Sequence, residues 1–210
     1  MKPPSCAYRH LLEEHNLSIQ LLATINATLI AKGLMLKTGT VVDATLIAAP
    51  SLTKNSKGER DPDMHQTKEG NQWHFGVKAH IGVDTDFGLV HSVIGTAANV
   101  NDVTQGHGLL HGEETVVFAD AGYLGTVKRL EATGVDWHVA MRPGQRRALN
   151  KHSPWGSLLD KAEQLKASVR AKVEHPFRVI KCQFGFNKVR YKGLAKNTAQ
   201  LITLFALSNV

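Results

Sequence analysis

Two hydrophobic segments with strand character each carry a single aspartate: "GTVVDATLI" contains Asp43 and "TVVFADAGY" contains Asp120. Strands tolerate Asp poorly, and a buried lone carboxylate is costly unless hydrogen-bond donors, a cation or a proton compensate it. Two such strands lying side by side would bring both carboxylates to one point. The pattern therefore favours a sheet in which two strands present their acids at the same place.

The segments around these strands alternate between helix and strand patterns. Residues 73–84 and 89–97 read as a β-hairpin, and 157–177 has the apolar spacing of a helix. A hairpin followed by strand–helix units predicts an α/β fold with a mixed sheet flanked by helices. The polar stretch 50–72 is predicted to be a mobile surface loop. Helical patterns at 7–15 and 18–32 predict a short N-terminal helical preface.

Composition narrows the class of partner. The 210 residues include 42% hydrophobic ones, enough for one sizeable core. The formal net charge is +7, which favours a polyanion, with nucleic acid ahead of an anionic membrane surface. No apolar run approaches the roughly 18 residues of a membrane span. The two cysteines, Cys6 and Cys182, form no CxxC pair and fit a reducing cytosol.

A third acid, Glu174, completes a candidate metal site with the two aspartates. On a helix, Glu174 would share one face with Arg170, Arg178 and Lys181. One acid ringed by three cations suits a surface that meets both a metal ion and a phosphate backbone. Mg²⁺ fits, because it takes one or two carboxylates and keeps its other positions for water and phosphate oxygens. Pro176 is expected to end or kink this helix.

Each acid also has an ordinary structural interpretation. A lone strand Asp is most often an edge or turn residue, and Glu174 alone resembles an exposed helix acid, so the inference depends on the set. Asn101 or Asp102 is expected to cap a short helix, and Glu113 and Glu114 are expected to be solvated. Zinc is not expected at the histidines, whose spacings match no zinc motif: His65, His74, His80, His91, His107 and His111.

The set of motifs resembles the DDE-type transposases of bacterial insertion sequences, in particular the family of insertion-sequence element number five. The matching segments are "VVDATLIAAP", "VFADAGYLG", the pattern R-x-x-x-E-x-x-x-x-x-x-K, "LVHSVIGTAANVNDVTQ" and "KVRYKGLAKN". The resemblance extends from about residue 9 to residue 208 and is far more specific than three acids alone. It implies an RNase H-like core and metal-dependent strand cleavage and strand transfer at the ends of an insertion sequence.

The resemblance also implies roles for individual residues. Asp43, Asp120 and Glu174 would be the catalytic acids that hold two Mg²⁺ ions, with Mn²⁺ as a substitute. Arg170 and Lys181 would hold phosphates near the scissile bond. Looser DNA contacts are expected from Lys68, Lys78, Arg142, Arg146, Arg147, Lys151 and Arg178. The family often has a Tyr three residues before the Arg of its helix motif, whereas this chain has Ala167.

The same resemblance predicts the organisation and partners of the chain. Residues 37–208 would form the catalytic domain, and residues 1–36 a truncated DNA-binding region, because only about 40 residues precede Asp43. The expected partners are double-stranded terminal inverted repeats, target DNA and further copies of the chain, in a bacterial cytoplasm close to the nucleoid. The alternative is a catalytically silent DNA-binding remnant of an element. A repair-type nuclease of the same fold is disfavoured by the motifs.

Overall fold

The predicted β-hairpin and the strand–helix units that follow it are present in the structure, together with one edge strand that was not predicted. The computed structural model describes residues 14–35, 38–51, 58–129 and 134–210. The strands in these ranges are β1 (Gly39–Ala48), β2 (His65–Glu69), β3 (Gln72–Asp84), β4 (Val90–Ala97), β5 (Val116–Ala119) and β6 (Asp136–Val139). The α-helices are α1 (Leu17–Ala31), α2 (Thr126–Arg129), α3 (Pro143–Arg147), α4 (Pro154–Arg178) and α5 (Leu194–Ser208). Short 3₁₀ turns lie at Asp102–Thr104, His107–Leu109 and Ala121–Tyr123.

The strands form one mixed sheet with β1 near its centre. β1 is antiparallel to β3 on one side and parallel to β5 on the other, and β6 continues the sheet parallel to β5. The outer edge of β3 is shared, because β2 pairs with its first residues and β4 with its later ones. The predicted α/β architecture with a mixed sheet flanked by helices is confirmed.

Side-chain alternation along β1 determines which face of the sheet each residue meets. Val41 and Ile47 are fully buried in the core that includes Phe177 of α4, whereas Val42 belongs to a second core on the opposite face. Each fully buried aliphatic side chain contributes about 1.5–3 kcal/mol. Asp43 follows the alternation of Val41 and Ile47, so the same packing that fixes β1 turns the Asp43 carboxylate toward α4.

Helix α1 is joined to the same structure through α5. Leu22 packs with Ile202 and Ala206, and the Asn209 side-chain amide donates to Asn26 Oδ1 at 3.0 Å. The predicted helix over 18–32 is therefore confirmed within a residue, while the one over 7–15 lies almost entirely outside the described residues. Among the described helices, none combines the length and hydropathy that a bilayer span requires.

The prediction of a mobile loop over 50–72 is wrong for much of that segment. His65–Glu69 form β2, an edge strand with almost every residue exposed, so its polar composition hides its strand character. Asp61 and Asp63 accept the backbone N–H groups of Gly193 and Leu194, which ties this segment to the start of α5. Residues 52–57 lie outside the described part of the chain.

Helix α4 continues through Pro176, so the predicted helix end at this proline is not found. The helix runs to Arg178 and passes directly into a π-helical turn, Val179–Gln183. Pro176 and the following Phe177 are buried, and burial of this apolar pair offsets the backbone hydrogen bond that a proline cannot make. The wider π turn changes the direction in which the residues after Arg178 project.

Candidate active site

The two strand aspartates lie where β5 ends beside β1. The parallel register pairs Val42 with Ala119, the last residue of β5, and the next residue on each strand is an aspartate. Asp43 Oδ1 accepts the Ala44 N–H at 2.8 Å, and Asp120 Oδ1 accepts the Gly122 N–H at 2.8 Å. The end of β5 opens a gap beside β1, so both carboxylates reach a cavity rather than a continuous sheet.

Helix α4 closes this cavity from one face of the sheet. The cavity has a volume of about 470 Å³, and Glu174 lies exposed at the rim of the cavity. The carboxylates that line the cavity are Asp43, Glu69, Asp102, Asp120 and Glu174, and the cations are Lys68, Lys78, Arg170 and Lys181. Asp43, Asp120 and Glu174, which lie far apart in the sequence, therefore share one water-accessible volume.

Burial and like charge make Asp43 difficult to ionise in the absence of a bound cation. Burial, together with smaller contributions from the neighbouring carboxylates of Asp120 and Glu174, raises the pKa of Asp43 to about 6. The Ala44 N–H and the Arg170 guanidinium act in the opposite direction without offsetting the increase. A divalent cation would relieve this repulsion, so the carboxylate set fits a Mg²⁺ or Mn²⁺ ion.

The cations of the cavity are held at defined positions. Arg170 Nη2 lies 3.4 Å from Asp43 Oδ2, while Arg170 Nε is buried without a hydrogen-bond partner among the described residues. Lys181 projects from the π turn and donates to Thr45 Oγ1 at 2.6 Å. Burial lowers the pKa of Lys181, although Glu69 and Glu174 oppose that effect. Thr45 thus faces the same side as Asp43, as strand alternation predicts.

Residues 35–210 match the family model described as the transposase DDE domain. This chain belongs to that transposase family. The match covers all six strands and the whole cavity, and it agrees with the predicted RNase H-like fold. No solved structure matches the chain. Membership implies that this transposase acts on DNA, and transposases of this class generally use a divalent metal ion.

The predicted DNA-contacting residues of the transposase are distributed over several surfaces. Lys78 and Lys68 line the cavity, whereas Arg178 does not and lies beside a different depression with His175. Two steps of four residues from Arg170 turn Arg178 by about 80° around the helix, so the two do not share a face. Lys181 reaches the cavity at the eleventh residue after Arg170, close to three full turns.

The predicted contacts around α3 are only partly free to meet DNA. Arg142 and Arg147 are exposed. Arg146 donates to Asp160 at 2.9 Å, and Lys151 lies 3.3 Å from the same carboxylate oxygen. Arg146 and Lys151 therefore have an acidic partner within the protein, and a bound phosphate would have to compete with Asp160.

Sequence reasoning missed Asp102 as a member of the cavity. The sequence predicts Asn101 or Asp102 as the cap of this turn, and Asn101 occupies the cap position without a side-chain cap hydrogen bond. Asp102 Oδ1 instead accepts from Lys78 at 2.9 Å, and the buried ring of His80 lies 3.8 Å away. The "NDVTQ" stretch gives no local sign of this, because both partners come from β3, more than 20 residues earlier.

A second polar cluster lies on the other side of β1 from α4. Possible ligand atoms of His91, His111 and Glu114 lie within 4.8 Å of one another, an arrangement that could hold a metal ion. The expectation that Glu114 is solvated is wrong, because Glu114 is only 6% exposed. Motif spacing could not reveal this group, since His91 comes from β4 and the other two residues from the loop before β5.

Proposed function

We propose that this chain is an insertion-sequence transposase of the family of insertion-sequence element number five, which cleaves DNA strands and transfers them at the ends of the element. The observation that supports the proposal most strongly is the meeting of Asp43, Asp120 and Glu174 in one cavity with Arg170 and Lys181. Acids for metal ions and cations for phosphates are the two components that metal-assisted phosphoryl transfer requires.

The three acids would hold two Mg²⁺ ions, for which Mn²⁺ could substitute. Bound there, the ions would supply Lewis-acid polarisation of the phosphate and stabilise the entering and leaving oxygens. Asp43 and Asp120 are already oriented by backbone N–H donors, and each still has an oxygen that accepts no backbone bond from the part of the chain that the structure describes. Glu174 at the rim would complete the ligand set from the side of α4.

The proposed reaction proceeds in two phosphoryl transfers. In cleavage, a water oxygen loses a proton and bonds to the phosphorus at the end of the element, the bond from phosphorus to the 3′-oxygen breaks, and that oxygen gains a proton to become a 3′-hydroxyl. In strand transfer, this 3′-hydroxyl oxygen loses its proton and bonds to a phosphorus of the target, while the bond to the target 3′-oxygen breaks and that oxygen gains a proton. No covalent bond to the protein is needed in either step.

The cations would bind and orient the DNA backbone. Arg170 lines the cavity with a side chain that is 24% exposed, so its guanidinium group would meet a phosphate oxygen there. Lys181, supported by Thr45, would hold a second phosphate, and Lys78 borders the same space. Arg142, Arg147 and Arg178 are exposed and would contact more distant phosphates.

On this proposal, residues 37–208 form the catalytic domain and the segment before them serves end binding. Helix α1 itself contains no Lys or Arg, so direct phosphate contact would have to come from residues outside it. Two element ends must be processed together, which favours a homo-oligomer on DNA. The substrates, terminal inverted repeats and target duplexes, would place the protein at the nucleoid of a bacterial cytoplasm.

The test is metal-dependent cleavage of the DNA that flanks the gene. We would incubate the purified full chain with end-labelled flanking duplexes and Mg²⁺, and read nicks on a sequencing gel. The expected result is a nick at a defined position that EDTA abolishes. Asp120→Asn should reduce it at least about 10³-fold, since losing several kcal/mol of charge stabilisation corresponds to that factor.

A matched control separates this function from the silent-remnant alternative. Asp136→Asn changes an equally charged but 79% exposed residue of β6 and should cleave like the parent chain. If the parent chain binds the DNA specifically but makes no nick with either Mg²⁺ or Mn²⁺, it is a DNA-binding protein that has lost catalysis.

A further inference from the structure

Asp102 brings a further acid to the cavity, beside Asp120. It opens the 3₁₀ turn that follows β4, and its side chain is 26% exposed. A Cβ placed on Gly122 would lie 2.9 Å from Asp120 Oδ1 and 3.2 Å from Asp102 Oδ2. The two carboxylates therefore flank the same small space, and any side chain at position 122 would fill it.

The two oxygens of Asp102 have different surroundings. Oδ1 accepts from Lys78 Nζ at 2.9 Å, and the same ammonium group donates to the Val100 carbonyl at 2.9 Å, which fixes its position. Among the described residues, none donates a hydrogen bond to Oδ2. The ion pair thus orients the carboxylate with its unused oxygen on the Gly122 side, facing Asp120.

His80 limits the other ways in which Asp102 could be satisfied. His80 Nε2 lies 2.8 Å from Thr96 Oγ1, so this side of the ring is engaged by the threonine hydroxyl. The other ring nitrogen, Nδ1, is fully buried, has no hydrogen-bond partner among the described residues, and lies 3.8 Å from Asp102 Oδ1. Because 3.8 Å is too long for a hydrogen bond, Lys78 is the donor on which the Asp102 carboxylate depends.

The negative charges of Asp120 and Glu174 are not balanced by a neighbouring cation among the described residues. No described cation lies within salt-bridge distance of Asp120 or Glu174, whereas Asp43 has Arg170 and Asp102 has Lys78. Two carboxylate oxygens that face one space without a proton or cation repel each other. A purely structural ion pair with Lys78 would account for the position of Asp102 Oδ1. It would not account for the orientation of Asp102 Oδ2 toward Asp120.

We propose that Asp102 is a fourth carboxylate of the metal centre, sharing one divalent cation with Asp120 directly or through a bound water. This inference rests on the proposed function, because it assumes that Asp120 binds a divalent ion. Position 122 then has to be glycine, because the Cβ of any other residue would occupy the space between the two acids.

The test is Mn²⁺ binding without DNA, measured by the loss of the free-ion electron paramagnetic resonance signal and by titration calorimetry. Asp102→Asn should lower the affinity of one Mn²⁺ site about tenfold or more, as removal of a metal-supporting carboxylate does. Asp120→Asn should lower it as well. Asp136→Asn, on the exposed edge strand, is the matched control and should bind as the parent chain does.

Asp102→Asn leaves the Lys78 ammonium group without its carboxylate, and this variant could fail to fold for that reason. A second pair of variants, both lacking the Lys78 charge, avoids this problem. Lys78→Met and the double variant Lys78→Met/Asp102→Asn differ only in the acid, and the double variant should bind Mn²⁺ about tenfold more weakly. Equal affinities in both comparisons, with Asp120→Asn still impaired, would overturn the role of Asp102 alone. Unchanged binding in Asp43→Asn and Asp120→Asn would overturn the proposed metal centre itself.

Discussion

Two buried carboxylates on opposite sides of β1, Asp43 and Glu114, differ in how fully the protein satisfies them. Glu114 accepts the N–H groups of His111 and Gly112 at 2.6 and 2.8 Å and a hydroxyl from Thr40 at 3.3 Å. Burial alone would raise the pKa of Glu114, but these backbone donors and the nearby His111 hold it below its usual value. The charge is compensated within the fold.

Within the described ranges, Asp43 has one backbone donor and an arginine, and it is surrounded by other acids. Its pKa rises to about 6 through burial and the charges of Asp120 and Glu174. Burial of an acid therefore does not by itself indicate a catalytic role. An acid whose charge the fold leaves uncompensated points to a missing cation, whereas one with donors on both oxygens points to a structural role.

The His91, His111 and Glu114 cluster belongs to the structural type on this criterion. His111 Nδ1 accepts the Glu113 N–H at 3.2 Å, which places the ring proton on Nε2, 3.3 Å from Glu114 Oε1. His91 lies between Ser92 Oγ and Thr40 Oγ1 at 2.9 and 3.1 Å. Binding a metal ion would displace several of these hydrogen bonds, so we expect the cluster to fix the loop before β5.

The largest expected difference is in DNA cleavage. Asp43→Asn should lower metal-dependent nicking at least about 10³-fold, because it removes a carboxylate from the ions and transition-state charge stabilisation of several kcal/mol. Glu114→Gln should leave the rate within about threefold when measured at a temperature where the variant is folded. Cleavage assays with equal amounts of folded protein check both. A comparable loss in the two variants would remove the functional distinction between the sites.

The next largest effect is the pH dependence of stability in EDTA. The folded pKa of Asp43, about 6, lies above the ordinary 3.8, so between these values the native state binds the extra proton. Stability from this group is therefore lost as pH rises from about 4 to 6, by about 3 kcal/mol. Urea unfolding at pH 4 and pH 7 should show that Asp43→Asn removes this decline. If the free energy of unfolding of Asp43→Asn changed with pH as it does in the parent protein, the decline could not come from ionisation of the buried Asp43.

Glu114 should show the opposite sign. Because its folded pKa is depressed below 4.5, its contribution is present at neutral pH and lost as pH falls through the folded value. Glu114→Gln should cost about 1–3 kcal/mol at pH 7, since an amide cannot accept from both backbone N–H groups. Urea unfolding measures this loss, and Glu113→Gln, at an exposed neighbour, is the control. A loss of Zn²⁺ or Mn²⁺ affinity in Glu114→Gln would instead identify a metal site.

Sequence reasoning located the parts of the site whose positions follow from regular periods. Asp43 and Asp120 meet because each immediately follows the last paired residue of two neighbouring parallel strands. Glu174 faces them because helical spacing aligns it with Arg170. The position of Thr45 on the same side of β1 as Asp43 likewise follows from alternation.

The parts that sequence reasoning missed depend on contacts between distant segments. Asp102 and Glu114 lie in turns, where no period indicates burial, and their partners come from β3 and from Thr40 of β1. β2 was missed because an exposed edge strand has no apolar alternation. Arg178 was placed with Arg170 because steps of four were treated as one face, although each step rotates about 40°.

The smallest expected effect concerns the hydrogen bond between Lys181 and Thr45. Thr45→Val preserves the shape of the side chain but removes the oxygen that accepts from Lys181 Nζ at 2.6 Å. One such bond contributes about 1 kcal/mol, so cleavage should slow about fivefold. Lys181→Ala should have a larger effect and a weaker salt dependence of DNA binding, because a phosphate contact is lost. If Thr45→Val slowed cleavage as much as Lys181→Ala does, Thr45 would do more than position Lys181. The threonine hydroxyl would then act directly in the acid-lined cavity.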